Sequence, residues 1–174
     1  MKKIPNYSIP RVGPGENGEG VYLEGEEKKI GEEQVKTLFM NVLASDKISL
    51  DRSIPDSRSR ECLALAYPKT LPTASIVIIF TNEFLSAVLR TVHSVVNRTP
   101  PELLKEIILV DDQSDREELR EPLTEHLQRF GSLVKLIRST ERLGLIRAKM
   151  RGAREATGDV LVFLDAHCEA NAGW

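Results

Sequence analysis

Residues 75–80 read Ser75-Ile76-Val77-Ile78-Ile79-Phe80, an apolar run rich in β-branched side chains and without polar alternation. Such a run predicts a strand buried on both faces of a parallel sheet. Beyond it, Phe84, Leu85, Val88, Leu89, Val92, Val95 and Val96 recur at helical spacing. Residues 106–110 form a second buried strand ending in Asp111-Asp112. A helix follows within residues 115–130. Pro122 would break its interior, so its start is set near Glu121 with the proline in the first turn. Residues 133–137 read as a third strand and 159–164 as a fourth. Between them, residues 142–156 carry Ile146, Met150 and Ala153 on one helix face. Strand and helix alternate with short connections, so the prediction is an α/β fold: a parallel sheet, right-handed crossovers and helices on both faces.

Upstream, the pattern changes. Residues 13–20 are a glycine-rich breaker cluster and residues 24–33 a mostly acidic stretch, so residues 1–34 are predicted to be disordered linker. Val35, Leu38, Phe39, Val42 and Leu43 have the spacing of one short amphipathic helix. Residues 51–72 hold Pro55, Pro68 and Pro72 and predict an extended surface segment. The organisation expected is therefore linker 1–34, a stem-like segment 35–73 and a domain 74–174.

The chain has 174 residues, the length of about one domain. Lys and Arg number 24 and Asp and Glu 26, for a net charge of -2, which gives no electrostatic case for a nucleic-acid partner. No apolar run approaches the ~20 residues that span a bilayer, and Met1-Lys2-Lys3-Ile4-Pro5 lacks the apolar stretch of a signal peptide. Cys62 and Cys168 are too far apart for a CxxC motif.

Open parallel sheets bind ligands beyond the carboxyl ends of their strands. There the sequence places Thr81-Asn82-Glu83, Asp111-Asp112-Gln113-Ser114, Ser139-Thr140-Glu141-Arg142 and Asp165-Ala166-His167-Cys168-Glu169. Any one cluster is also what a polar turn needs; four on one rim favour a site. If the chain stays extended past Leu164, Asp165 and His167 face one side and can reach one divalent ion, Mn2+ rather than Ca2+ for a mixed oxygen and nitrogen pair. The alternative is that Asp165 caps a turn and His167 is packed. Asp111-Asp112 could grip a ribose, a base N–H or a metal. A receiver domain would carry its paired acids after the first strand, and a dinucleotide fold would want GxGxxG, which is absent. Arg142 and Arg147 bracket Gly144 at a helix start, an arrangement suited to phosphate, with simple solubility as the other reading. His93 and His126 read as packing or surface residues. Asn6-Tyr7-Ser8 and Asn97-Arg98-Thr99 fit the N-glycosylation triplet, the second disfavoured by Pro100.

Several strings together resemble the polypeptide N-acetylgalactosaminyltransferases. They are residues 48–56 (Ile48-Ser49-Leu50-Asp51-Arg52-Ser53-Ile54-Pro55-Asp56), Leu89-Arg90-Thr91-Val92-His93-Ser94-Val95, residues 106–112, Arg142-Leu143-Gly144-Leu145-Ile146-Arg147-Ala148 and residues 158–169. The resemblance runs from about Val35 to Trp174. It implies a GT-A (Rossmann-like) fold, a Golgi membrane protein, Mn2+ dependence, and retaining transfer of GalNAc from UDP-GalNAc to Ser or Thr hydroxyls of protein acceptors. Asp165 and His167 match the family's Asp-x-His metal motif, Asp112 the acid that contacts uridine, and Arg142 an arginine at the nucleotide sugar. Thr81 stands where the family commonly has a His that helps hold the uracil; threonine can hydrogen-bond there but cannot stack. The resemblance also implies that only the donor half is present, no catalytic residue being assigned within it. The third metal ligand, the acceptor groove and the disulfide partner of Cys62 would lie outside it. Two alternatives are a non-catalytic chain that pairs with full-length transferases, and another UDP-sugar GT-A enzyme, for which Asp-x-Asp would be the commoner motif.

Overall fold

The computed structural model describes residues 11–174; Asn6-Tyr7-Ser8 and residues 1–5 lie outside them. Helices α1 (Gly25–Leu38), α2 (Val42–Lys47) and α3 (Arg60–Leu63) precede an alternating unit. That unit comprises β1 (Ala74–Phe80), α4 (Leu85–Arg98), β2 (Leu104–Asp111), α5 (Glu121–Leu127), β3 (Val134–Arg138), α6 (Leu145–Glu155) and β4 (Val160–Asp165). The four strands form one parallel sheet in the order β3-β2-β1-β4, as the unbroken apolar runs require. No helix among the described residues is long and apolar enough to cross a membrane.

The two faces of β1 bury different partners. Ile76, Ile78 and Phe80 share a core with Val88, Val92 and Val95 of α4 and Leu123 and Leu127 of α5. Each fully buried valine of α4 contributes about 1.5–3 kcal/mol by leaving water. On the other face α6 packs Ala148 against Ile108 and Val110. Its Gly152 sits so close to the sheet that a Cβ there would overlap Val77 Cγ1 and reach Val110 Cγ2 at 3.2 Å. Glycine is what allows α6 to lie on β1. Pro122 occupies the first turn of α5, where its missing N–H costs nothing.

Two expectations upstream are corrected. Within the predicted linker, Glu16 is buried and accepts from Ser53, and residues 25–34 belong to the 14-residue helix α1. Low hydrophobicity is the signal for disorder, but the same Glu and Lys residues are good helix formers. They pair along the helix, Lys29 with Glu26 at 3.1 Å and Lys28 with Glu32 at 3.9 Å. The single helix predicted across residues 35–43 is two helices. Phe39 takes a left-handed φ of 59° and is 91% exposed, so it belongs to no buried face. Asn41 then restarts the chain by accepting from the Ala44 N–H at 2.9 Å. Residues 51–72 are largely irregular, as expected, apart from the short α3.

The strand ends that carry the polar clusters align. Ile79 is in register with Val110 on one side and Asp165 on the other, and Val110 with Ile137. Strand order reverses between β1 and β4, so the crevice at their carboxyl ends is the topological switch point where such sheets bind ligands.

Candidate functional site

After β1, the chain turns sharply. Asn82 has φ of 50°, donates its N–H to Ser114 Oγ at 2.9 Å and accepts from the Asp115 N–H at 2.8 Å. These bonds tie the turn after β1 to the turn after β2. Thr81 donates from Oγ1 to the Asp112 carbonyl at 3.2 Å. Its hydroxyl therefore serves the turn and leaves oxygen lone pairs for a further contact.

The two acids at the end of β2, its last residue Asp111 and the following Asp112, are both buried and both occupied. Asp111 accepts from Arg138 Nη1 and, at 2.9 Å, from the Ser114 N–H. Asp112, 2% exposed, accepts from the N–H groups of Leu143 at 2.7 Å and Gly144 at 2.9 Å. Arg142 Nε adds a third contact at 3.2 Å. Gly144, with φ of 76°, makes the bend that lets two successive amides converge on one carboxylate and then starts α6. Asp112 thus sits beneath the Arg142 loop and holds it; Arg142, 58% exposed, is the member of the pair that reaches solvent.

Asp165 closes β4, and Ala166 and His167 follow in a turn, so the extended continuation expected for this triplet is not what the chain does. Ala166 is buried, while Asp165 and His167 on either side of it are exposed. His167 Nδ1 lies 2.8 Å from Glu83 Oε2, and Glu83 Oε1 accepts from the Phe84 N–H at 3.0 Å. An ionised carboxylate can only accept, so Nδ1 carries a proton, and in the neutral ring the free lone pair is then on Nε2. That is the tautomer a metal-binding histidine needs, with the carboxylate orienting the ring. Asp165 and His167 would supply one oxygen and one nitrogen donor to a divalent ion, an incomplete set. No group of three His, Cys, Asp or Glu side chains that could hold a metal occurs among the described residues.

The structure therefore brings Thr81, Asp165 and His167 to the switch point and sets Asp112 and Arg142 beside it on the β2 side. Glu83 stands in the first polar cluster, but nothing in its own spacing singles it out; only the adjacency of β1 and β4 shows that it faces His167. Cys62 on α3 and Cys168 are free thiols here. His93, read as a packing residue, and His126, read as a surface residue, face each other with Nε2 atoms 2.9 Å apart and with Phe130 against the His93 ring.

Residues 75–174 match the family model described as glycosyl transferase family 2. The chain belongs to that family. Its fold is the GT-A arrangement. A solved structure described as GalNAc-T7 with UDP, GalNAc and Mn2+ superposes with a TM-score of 0.91 at 43% identity, covering 100% of this chain and 32% of that one. A mannosyltransferase from Pyrobaculum calidifontis shares the fold at a TM-score of 0.54, 22% identity and 65% of this chain, with 34% of its own covered. Among curated relatives, probable N-acetylgalactosaminyltransferase 9 of Caenorhabditis elegans is 58% identical over 100% of this chain and 30% of its own length. Human polypeptide N-acetylgalactosaminyltransferase 10 is 51% identical over 99% of this chain and 28% of its own. The chain thus spans less than a third of the length of these relatives.

Proposed function

We propose that residues 74–174 are the nucleotide-sugar-binding half of a polypeptide N-acetylgalactosaminyltransferase, with UDP-GalNAc as donor, protein Ser or Thr hydroxyls as acceptors of the complete enzyme, and residues 35–73 leading into the domain. The observation that carries this reading is the Glu83–His167 bond at the β1/β4 switch point beside Asp165. It is supported by the 43% identity to a structure whose description names UDP, GalNAc and Mn2+. Asp165 and His167 would hold Mn2+, which when bound supplies positive charge against the diphosphate of the donor. Glu83 orients the His167 ring. Asp112, fixed by the Leu143 and Gly144 amides, supports the uridine end of the site, and Arg142 extends from it toward the nucleotide sugar. Thr81 offers a hydroxyl to the uracil where an imidazole would stack. The same reading carries a Golgi membrane location and a disulfide from Cys62, which is exposed on α3.

The test is a titration of Mn2+, then UDP with Mn2+, into the purified chain and into Asp165→Ala. The expected result is UDP binding that depends on Mn2+ and is lost in the variant. Equal affinity in both proteins, with and without metal, would overturn the assignment. One observation favours pairing with a full-length transferase as a second reading. Leu161 and Phe163 on the edge strand β4 and Ile146 and Met150 on α6 are exposed apolar residues. Size-exclusion chromatography with such a transferase decides it; separate elution of the two proteins removes that reading.

A further inference from the structure

The loop that follows β4 is gripped from two sides. From below, the Thr91 hydroxyl of α4 lies 3.0 Å from the Ala166 carbonyl and 2.8 Å from that of Cys168, and Ser94 Oγ accepts from the Ala170 N–H at 2.9 Å. From outside comes Arg52, 117 positions earlier in the chain than Glu169. Its Nε lies 3.1 Å from both Glu169 carboxylate oxygens and its Nη2 2.5 Å from Oε2. Both side chains are mostly shielded, 19% and 17% exposed, so this fork-shaped pair is less screened than a surface ion pair.

Arg52 is itself held. Arg98 of α4 donates from Nη2 to the Arg52 carbonyl at 2.6 Å and from Nη1 to the Ala170 carbonyl, joining the two segments through one guanidinium. Ser53 donates its N–H at 2.8 Å and its hydroxyl at 2.5 Å to the buried Glu16 carboxylate. Arg90 reaches from α4 to the carbonyls of Ser45 and Ile48. The segment that leads into the sheet is thereby built onto α4 and onto the loop bearing His167. Yet it lies wholly outside residues 75–174, which the family model matches.

We infer that Arg52 is a positioning residue for the metal-facing loop: its clamp on Glu169 fixes the backbone of residues 166–170 so that His167 keeps its Glu83 partner and presents Nε2 outward. Glu169 is two residues from His167, too close for the loop to shift at one without turning the other. The stem-like segment is on this account a working part of the site. The inference rests on the reading of Asp165 and His167 as the metal pair for its consequence, but its geometry can be tested without metal.

The experiment uses the whole chain, isotope-labelled, with Arg52→Met, Glu169→Gln and Arg52→Lys. Amide hydrogen exchange across residues 166–170 and the imidazole nitrogen signals of His167 are measured in the absence of metal, and Mn2+ affinity is measured separately. Arg52→Met and Glu169→Gln are expected to speed exchange in the loop about tenfold or more while leaving β1 and β2 protected. They should also shift the His167 signals but not those of His93, and weaken Mn2+ binding about tenfold. Arg52→Lys, a point charge without the fork, should restore part of each effect. Should Arg52→Met fail to fold, Glu169→Gln carries the test alone. Unchanged loop exchange and an unmoved His167 signal in a folded variant overturn the inference. So does acceleration spread equally over the sheet, which would mean a merely structural bond. If the loop loosens as expected while the unaltered chain binds no Mn2+, Arg52 is confirmed in its positioning role and the metal reading fails.

Discussion

Replacing Asp112 by Asn alters one atom of a buried group and should be costly. The carboxylate is a double acceptor for the Leu143 and Gly144 amides at 2.7 and 2.9 Å, with Arg142 Nε at 3.2 Å. An asparagine can keep one amide on its oxygen. With that oxygen at the Oδ2 position, which Gly144 and Arg142 share, the NH2 group faces the Leu143 N–H, two donors with no acceptor between them. Losing a hydrogen bond to a charged acceptor costs about 1.5–3 kcal/mol, and a buried unsatisfied N–H about 1–3 kcal/mol. Because these overlap, the sum expected for Asp112→Asn is about 2–4 kcal/mol. Arg142→Gln is the control: that side chain is 58% exposed, and its share is that of a screened pair, under about 1 kcal/mol. Urea unfolding at neutral pH, read by circular dichroism with both variants beside the unaltered chain, measures the two differences. An Asp112→Asn protein within about 0.5 kcal/mol of the parent, or an equal loss for both variants, would refute the claim that Asp112 holds the loop through its backbone amides.

Other expectations concern packing and pH. Gly152→Ala should gain about 1 kcal/mol in helix propensity, yet lose about 1–3 kcal/mol by driving a methyl into Val77. A net fall in the thermal midpoint is expected, and a variant as stable as the parent would show that α6 can lift from the sheet at no cost. The pKa of His126 is held below its ordinary value of 6.5, first by burial and then by the Arg129 guanidinium. The folded state therefore binds fewer protons at this ring than the unfolded state does. Its contribution is complete above the unfolded value and is lost as pH falls through about 6.5 toward the lower folded value. The 2.9 Å approach of the two Nε2 atoms adds to this, since it requires at least one neutral ring. Thermal melts between about pH 7 and about pH 5 should show this decline, flattened in His126→Gln; an identical slope in the variant would assign it to other groups.

The sheet and its rim are legible in the amino-acid sequence. The runs of residues 75–80 and 106–110 bury side chains on both faces. That alone demands a parallel sheet covered by helices, and period and proline position set the start of α5. These signals are local, because a strand or helix displays its burial in its own spacing. The upstream misreading has the same root. Residues 25–34 bury little, so hydrophobic periodicity is silent there, and the i,i+3 and i,i+4 charge pairs that support α1 are the signal that marks the helix instead.

The partners within the site were settled by tertiary structure. That four polar clusters follow four strands is legible in the chain. It is not legible that Asp112 turns inward to two amides 31 and 32 residues away while Arg142 turns outward. Nor does any spacing announce that Glu83 meets His167 or that Arg52 closes on Glu169, separations of 84 and 117 residues. Residue type and periodicity state what a side chain can do; which partner it meets depends on strand order, the close approach that Gly152 allows α6, and the packing of α4 against the loop after β4. Hydrogen bonds and ion pairs act over about 3 Å, so only the folded backbone, by placing distant segments that close, decides which of the possible pairs exist.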